Sequence, residues 1–212
     1  MLAGTLDASW PLLVVASLVL IATPGQDMMI VMSRSIAQGP RAGVATAAGV
    51  SVGLVGHTAL ATLGLGALLR ASDGLFIALK LIGAAYLLYL GLAMIFARHD
   101  ALAPGVAPSR GALRLFVDGA VSNLSNPKIA IFYFAFLPQF VAPGATHPTL
   151  TIFALGLAFA ALTFVVKAPI GLSAGALSSW LRARPGVLRW LFRSSGAVLV
   201  GLSVRLALER RD

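Results

Sequence analysis

The run Leu18-Val19-Leu20-Ile21-Ala22-Thr23-Pro24-Gly25-Gln26-Asp27-Met28-Met29-Ile30-Val31 sets a proline, a glycine, an amide and a carboxylate inside an apolar stretch. That stretch extends from Trp10 to about Met32, and crossing a bilayer takes about 20 residues. Hydrocarbon cannot solvate such groups, so a helix break at this depth lines a cavity or contacts neighbouring helices. A second interruption, Asn123-Leu124-Ser125-Asn126-Pro127-Lys128, falls in the run from Leu113 to Phe140. Two such breaks, in corresponding positions of two halves, point to a binding site at the bilayer midplane.

Composition sets the class. The chain has 212 residues, 58% hydrophobic and 11% charged, with a mean hydropathy of +0.92. Soluble domains are about 45–50% apolar and about 25% charged, so this chain is expected to be an all-α integral membrane protein. A net charge of +9 and a pI near 11.3 raise the option of a nucleic-acid binder. Most arginines, however, lie between or just beyond the apolar runs, where they orient a membrane protein, and are not gathered on one face. Cysteine is absent, which excludes thiol redox chemistry, disulfides and thiolate metal sites. The first apolar run lacks a basic n-region and continues past any small-residue cleavage site, as expected of a retained span.

About six spans are expected: Trp10 to Met32, Ala42 to Leu69, Leu75 to Ala97, Leu113 to Phe140, Leu150 to Leu177 and Val187 to Leu208. The second, fourth and fifth exceed the bilayer thickness, so tilt or a break is expected in each. The polar stretch Arg98 to Ser109, with Pro104, Gly105 and Pro108, divides the chain. This gives a first three-helix repeat over 1–97, a cytoplasmic linker over 98–112 and a second repeat over 113–212. Alternate connections carry Arg34, Arg41, Arg98, Arg110, Arg114, Arg182, Arg184, Arg189 and Arg193 on one side. Arg70, Arg205, Arg210 and Arg211 lie on the other. The richer side is expected to be cytoplasmic, which leaves both termini external. Lys80-Leu81-Ile82-Gly83-Ala84 and Arg193-Ser194-Ser195-Gly196-Ala197 share a basic-x-x-Gly-Ala pattern. With three spans per half, the second half enters the membrane upside down, an inverted repeat with broken first and fourth helices.

Asp27 is the one acid deep within the first five spans, since Asp118 lies nearer an end. A carboxylate at the bilayer centre costs about 2.5–3.5 kcal/mol on insertion scales, so its presence points to function. It can bind a substrate ammonium, a coupling proton, or each in turn; the alternative is a cap on the half-helix that starts after Pro24-Gly25. Lys128 is the matching cation of the fourth span, able to hold a substrate carboxylate or to pair with Asp27. It lies about 20 Å into its span at helical rise, a long reach for snorkelling to the interface. Asn123 and Asn126 can hydrogen-bond substrate or satisfy carbonyls freed by Pro127, because proline supplies no donor. Gln26 and Thr23 have the same two options. Lys167, beside an expected helix break at Ala168-Pro169, and Lys80, nearer a span end, are further pathway residues. His57 stands alone in the second span as an interhelical hydrogen-bonder or a proton relay, with His99 and His147 in loops. Gly49/Gly53 and Gly171/Gly175 are Gly-x-x-x-Gly steps suited to close helix packing. No catalytic residue, metal set or cofactor is expected.

Several of these motifs carry a resemblance. The runs Ala22-Thr23-Pro24-Gly25-Gln26-Asp27 and Lys80-Leu81-Ile82-Gly83-Ala84-Ala85-Tyr86-Leu87-Leu88-Tyr89-Leu90-Gly91 resemble segments of the LysE/RhtB family of amino-acid exporters. So do Asn123-Leu124-Ser125-Asn126-Pro127-Lys128 and Phe136-Leu137-Pro138-Gln139-Phe140, in the same order along the whole chain. The resemblance implies export of amino acids or close derivatives across a bacterial inner membrane, driven by the proton gradient or membrane potential. Members carry lysine, arginine, homoserine, threonine, leucine and cysteine. Asp27 matches the family's first-span acid, and Asn126, Pro127 and Lys128 match its Asn-Pro-Lys. Gln26 departs from a common Pro-Gly-Pro, so the break has one proline fewer.

An amino acid is a zwitterion, and Asp27 and Lys128 match its two ends. Half-helix N-termini after Pro24 and Pro127 would add positive dipole ends that favour a substrate carboxylate. The expected partners are an amino acid, protons and the lipid bilayer, with a homodimer left open and nucleic acid excluded. The competing reading is a divalent metal-ion exporter of the same superfamily, which would need several oxygen or imidazole ligands. An intramembrane enzyme would need a Ser–His pair or an acid dyad, and neither is legible.

Overall fold

Proline starts helices along this chain. It stands in the first turn of α1 (Trp10–Ala22), as Pro11, and is the first residue of α3 (Pro40–Ala71), α7 (Pro148–Arg182) and α8 (Pro185–Leu208). Its fixed φ suits the helix start, and its missing N–H would be unpaired there in any case. α2 (Gln26–Gln38), α4 (Asp73–Phe96) and α5 (Ala112–Leu124) complete the longer helices. A short α6 (Pro127–Ile131) follows α5 and runs into a π-helical turn, Phe132–Phe136, and a 3-10 turn, Leu137–Phe140. The computed structural model describes residues 8–23, 25–71, 73–96, 109–142 and 145–208. Pro24, Arg98, His99, Arg210, Arg211 and the expected 98–112 linker up to residue 108 lie outside the described residues.

The fold is all-α and membrane-embedded. Pro40–Gly64, Pro148–Leu181 and Arg189–Leu208 are each long and apolar enough to cross a membrane. Leu13–Ala22 and Gln26–Gln38, bent by 52° at the break, add a fourth span as a pair. Lys80–Phe96 is a shorter apolar helix, and the broken α5–α6 segment fills the remaining expected position. The outside is apolar where lipid would lie, with Leu63, Ile82, Phe96 and Trp190 exposed.

Two expectations, a break at Pro169 and an extended half-helix after Pro127, are corrected, and for the second and fifth spans the choice between tilt and a break is narrowed. The second and fifth spans are continuous helices of 32 and 35 residues. At 1.5 Å per residue these measure about 48 and about 52 Å, so tilt or projection beyond the bilayer, not a break, absorbs the excess. Pro169 stays inside α7 without ending it, as prolines within membrane helices can where neighbours satisfy the freed groups. The half-helix after Pro127 is only five residues of α-helix before the π-helical turn, so it is no extended dipole.

The long helices pack in pairs, and α3 also packs on α5. α3 lies along α7, and α4 along α8. Glycines permit both approaches: a Cβ on Gly43 would meet the Gly171 carbonyl, and one on Gly91 the Gly196 carbonyl, each at 2.8 Å. Gly49 and Gly53 press α3 on the backbone of α5, as the Gly-x-x-x-Gly reading expects. In the second such step Gly171 makes a close contact, but Gly175 has nothing within 4 Å. A buried aromatic group, Phe132, Tyr133, Phe136 and Phe140, packs with Phe159 of α7 at the centre.

The two broken spans run antiparallel, and this positions the site. At one end the backbone N–H of Ser9, before α1, donates to the Phe140 carbonyl at 2.9 Å. At the other end Gln38, closing α2, donates through Nε2 to the Arg110 carbonyl, before α5, at 2.9 Å. Start meets end at both extremes, so the two interruptions face each other midway.

Candidate functional site

A proline deprives the carbonyl four residues earlier of its helical donor. For Pro127 that carbonyl is Asn123. It accepts instead from the Asn126 N–H at 2.9 Å and lies 3.1 Å from His57 Nε2 on α3. For Pro24 the carbonyl is Leu20, and the ammonium of Lys128 donates to it at 3.3 Å. Thr23 also turns inward, its hydroxyl donating to the Val19 carbonyl at 2.6 Å. At the first break a side chain of the facing span thus replaces the lost donor, and at the second a local backbone N–H does, with His57 of α3 close by.

The repaired breaks hold Asp27 between them. Gly25, not Asp27, occupies the N-cap of α2, so the capping alternative fails; Asp27 sits in the helix's first turn with its carboxylate pointing across the interface. Asn123 Nδ2 donates to Oδ2 at 2.9 Å, and Asn126 Nδ2 to Oδ1 at 3.3 Å. An ionised carboxylate only accepts, so both amides must present their NH2 groups to it. Asn126 uses its other end as the cap of α6, its Oδ1 accepting the Lys128 N–H at 3.1 Å. Asp27 is 4% exposed and Asn123 fully buried.

The ion pair is with Lys167, not with Lys128. Lys167 Nζ of α7 lies 3.6 Å from Asp27 Oδ2, and both side chains are buried. Of the two options for Lys128, the pairing with Asp27 is not formed here: its ammonium donates to the Leu20 carbonyl instead. Both lysines nevertheless line one cavity with Asp27, together with Thr23, Gly25, Gln26, Asn126 and Thr163. Apolar walls come from Leu20, Ile21, Met28, Leu54, Ile129 and Phe159. The cavity measures ≈ 20 Å³, room for about one water.

Other expected residues are distributed around this centre. Gln26 reaches from α2 to the Ser122 carbonyl and hydroxyl, each at 3.1 Å, and ties α2 to α5. His57 does not line the cavity: it stacks on Tyr133 with ring centroids 5.6 Å apart and supports the Asn123 carbonyl from behind, an interhelical role. Lys80, half-buried on α4, lies outside the cavity wall.

Two features escape a reading of the sequence. Tyr133 is fully buried in the π-helical turn, its hydroxyl donating to the Gly156 carbonyl at 3.1 Å, which fixes that turn against α7. Asp118 is the hub of three arginines: Arg34 at 3.3 Å, Arg114 at 3.3 Å and Arg110 in close contact. The spacing of Arg114 and Asp118, one helical turn apart, was the available signal for part of this cluster. Among the described residues no group of three or more His, Asp or Glu side chains is placed to hold a metal ion.

Comparison with known proteins shows the family. A family model described as LysE type translocator matches residues 18–210. The chain is 32% identical over 192 residues to the uncharacterized membrane protein PA4757 of Pseudomonas aeruginosa, covering 88% of this chain and 89% of that one. It is 36% identical over 131 residues to the uncharacterized membrane protein YrhP of Bacillus subtilis, covering 58% and 62%. A leucine efflux protein of Klebsiella pneumoniae is 30% identical over 201 residues, covering 91% and 92%. No solved structure matches the chain.

Proposed function

We propose that this chain, which belongs to the LysE type translocator family, exports an amino acid or close derivative from the bacterial cytoplasm, coupled to protons or to the membrane potential. One observation carries the reading: a buried carboxylate, clasped by two asparagine amides where two broken spans face each other, shares a small cavity with two ammonium groups. An amino acid carries one group of each sign, so this site offers a counter-ion to both of its ends. Asp27 takes the amino group or a coupling proton, and Lys128 leaves the Leu20 carbonyl for the substrate carboxylate. The antiparallel broken spans and the paired α3·α7 and α4·α8 contacts support two inverted three-helix repeats that rock about this centre. The family likeness supports placement in the inner membrane, and the arginine count supports an orientation with both termini external.

The metal-ion alternative fits poorly. A divalent cation here would face one carboxylate and two ammonium groups, and the ammonium groups repel it. Export assays on cells fed dipeptides test the main reading. Asp27→Asn and Lys128→Ala, at membrane levels matched to the parent chain, should each abolish amino-acid efflux. Full efflux from both variants would remove this cavity from the transport path.

A further inference from the structure

The cavity holds more positive charge than it can pair. Its charged lining groups are Asp27 on α2, Lys128 at the start of α6 and Lys167 on α7. His57 on α3 lies behind Asn123, outside the wall. One negative charge therefore faces two positive ones. Buried charges of like sign repel strongly where water is scarce, so an excess cation strongly shapes what else can enter.

Lys167 already stands where a substrate's amino group would go. Asp27 Oδ1 accepts one hydrogen bond, from Asn126, while Oδ2 accepts from Asn123 and also faces the Lys167 ammonium. The two ammonium groups, that of the side chain and that of a substrate, are the same chemical group. Their separation from Asp27 also suits exchange: 3.6 Å is longer than the roughly 2.7–2.9 Å of a tight charge-assisted hydrogen bond. A carboxylate gripped by two amides but only loosely paired keeps its position when one ammonium leaves and another arrives.

We infer that Lys167 is a tethered competitor for Asp27, displaced by the substrate's α-amino group, and that its charge excludes amino acids whose side chains are themselves cationic. This rests on the exporter reading above and narrows the substrate class of the same site. Once displaced, Lys167 remains beside the cavity as a cation, and Lys128 is engaged by the substrate carboxylate. A substrate side chain ending in an ammonium or guanidinium would add another positive charge with no second carboxylate in the wall to receive it. The six apolar residues of the lining supply the matching surface for a hydrocarbon side chain.

Norleucine and lysine form the discriminating pair, since they share a carbon skeleton and differ by the terminal amino group. The purified full chain is reconstituted in liposomes loaded with unlabelled leucine, threonine, lysine and glutamate, and uptake of labelled norleucine, leucine, threonine, lysine and glutamate is followed. The parent chain should exchange norleucine at least about tenfold faster than lysine, a modest ratio for a like-charge clash. Lys167→Met and Lys167→Gln should bring the two rates toward parity, whereas Lys167→Arg should keep them apart. Two variants guard against one that fails to fold. Lysine exchanging as fast as norleucine in the parent chain, or an unchanged ratio in the folded Met or Gln variant, overturns the inference alone. Failure of every labelled amino acid to exchange, in protein shown to be folded by its thermal transition, overturns the exporter reading and this inference with it.

Discussion

The Lys128 ammonium donates to the Leu20 carbonyl, 3.3 Å away and 108 residues earlier in the chain. That carbonyl is the one left without a helical donor by Pro24, and it lies near the C-terminal end of α1, where partial negative charge collects. Lys128 thus completes the first broken span from the second, and the two interruptions depend on each other. A Cβ on Gly25 would come 3.7 Å from the same ammonium, an ordinary contact that would leave the lysine where it is.

Lys128→Met should therefore cost stability as well as transport. An acceptor left unpaired in a buried site costs about 1–3 kcal/mol. The thermal transition of the purified variant should fall, and efflux should be lost. Lys128→Arg keeps a donor and should recover most of the stability but less of the transport, because its planar fork cannot reproduce a compact ammonium. A Met variant as stable as the parent chain would show that Leu20 does not need this donor.

Asn126 has two separable duties. Its Oδ1 caps α6 and its Nδ2 holds Asp27. Asn126→Ser keeps a capping oxygen and gives up the grip on the carboxylate; Asn126→Ala gives up both. Losing the cap costs about 0.5–2 kcal/mol, so the Ala variant should melt below the Ser variant. Efflux should be impaired in both. Equal melting of the two variants would mean that the cap contributes nothing.

The helices and their breaks were legible because both depend on local chemistry. Apolar run length marks a span, and Pro127 after a polar asparagine marks a break whichever helix packs nearby. Asp27 was legible as the centre for the same reason: no other acid lies so deep in the first five spans. What the sequence hid was partnership. Lys128 and Lys167 both interrupt apolar runs, and only the packing of α7 on α2 decides that Lys167 meets Asp27. Pro169 misled in the same way, since a proline breaks a helix or merely bends it according to what its neighbours supply.

Asp118 binds together the ends of both broken spans. Arg34 comes from α2, Arg110 from the segment before α5, and Arg114 from α5 itself. Arg114 is largely exposed and should contribute little, whereas Arg34 and Asp118 are mostly withdrawn from solvent. Asp118→Asn should lower the thermal transition, by a loss of about 1–3 kcal/mol. Arg114→Gln should change it by less than about 0.5 kcal/mol. Added salt should weaken the parent chain toward the Asn variant to the extent that the cluster is screened. A larger effect at Arg114 than at Asp118 would contradict this ranking.

Gly49 and Gly175 give the sharpest contrast between a pattern and its use. Each belongs to a Gly-x-x-x-Gly step on a long apolar helix, and nothing in the sequence separates them. In the structure a Cβ on Gly49 would collide with the Phe116 carbonyl of α5, which is backbone and cannot turn aside. A Cβ on Gly175 would meet nothing within 4 Å. Gly49→Ala should therefore force α3 and α5 apart and destabilise the protein by about 1–3 kcal/mol, the usual range for overpacking. Because α5 carries Asn123, the grip on Asp27 should loosen and efflux should fall with stability. Gly175→Ala should be neutral or should stabilise by up to about 1 kcal/mol, since alanine is the better helix former. Thermal transitions of the two purified variants decide it, and a Gly49→Ala protein as stable as Gly175→Ala would mean that α3 and α5 are not in backbone contact.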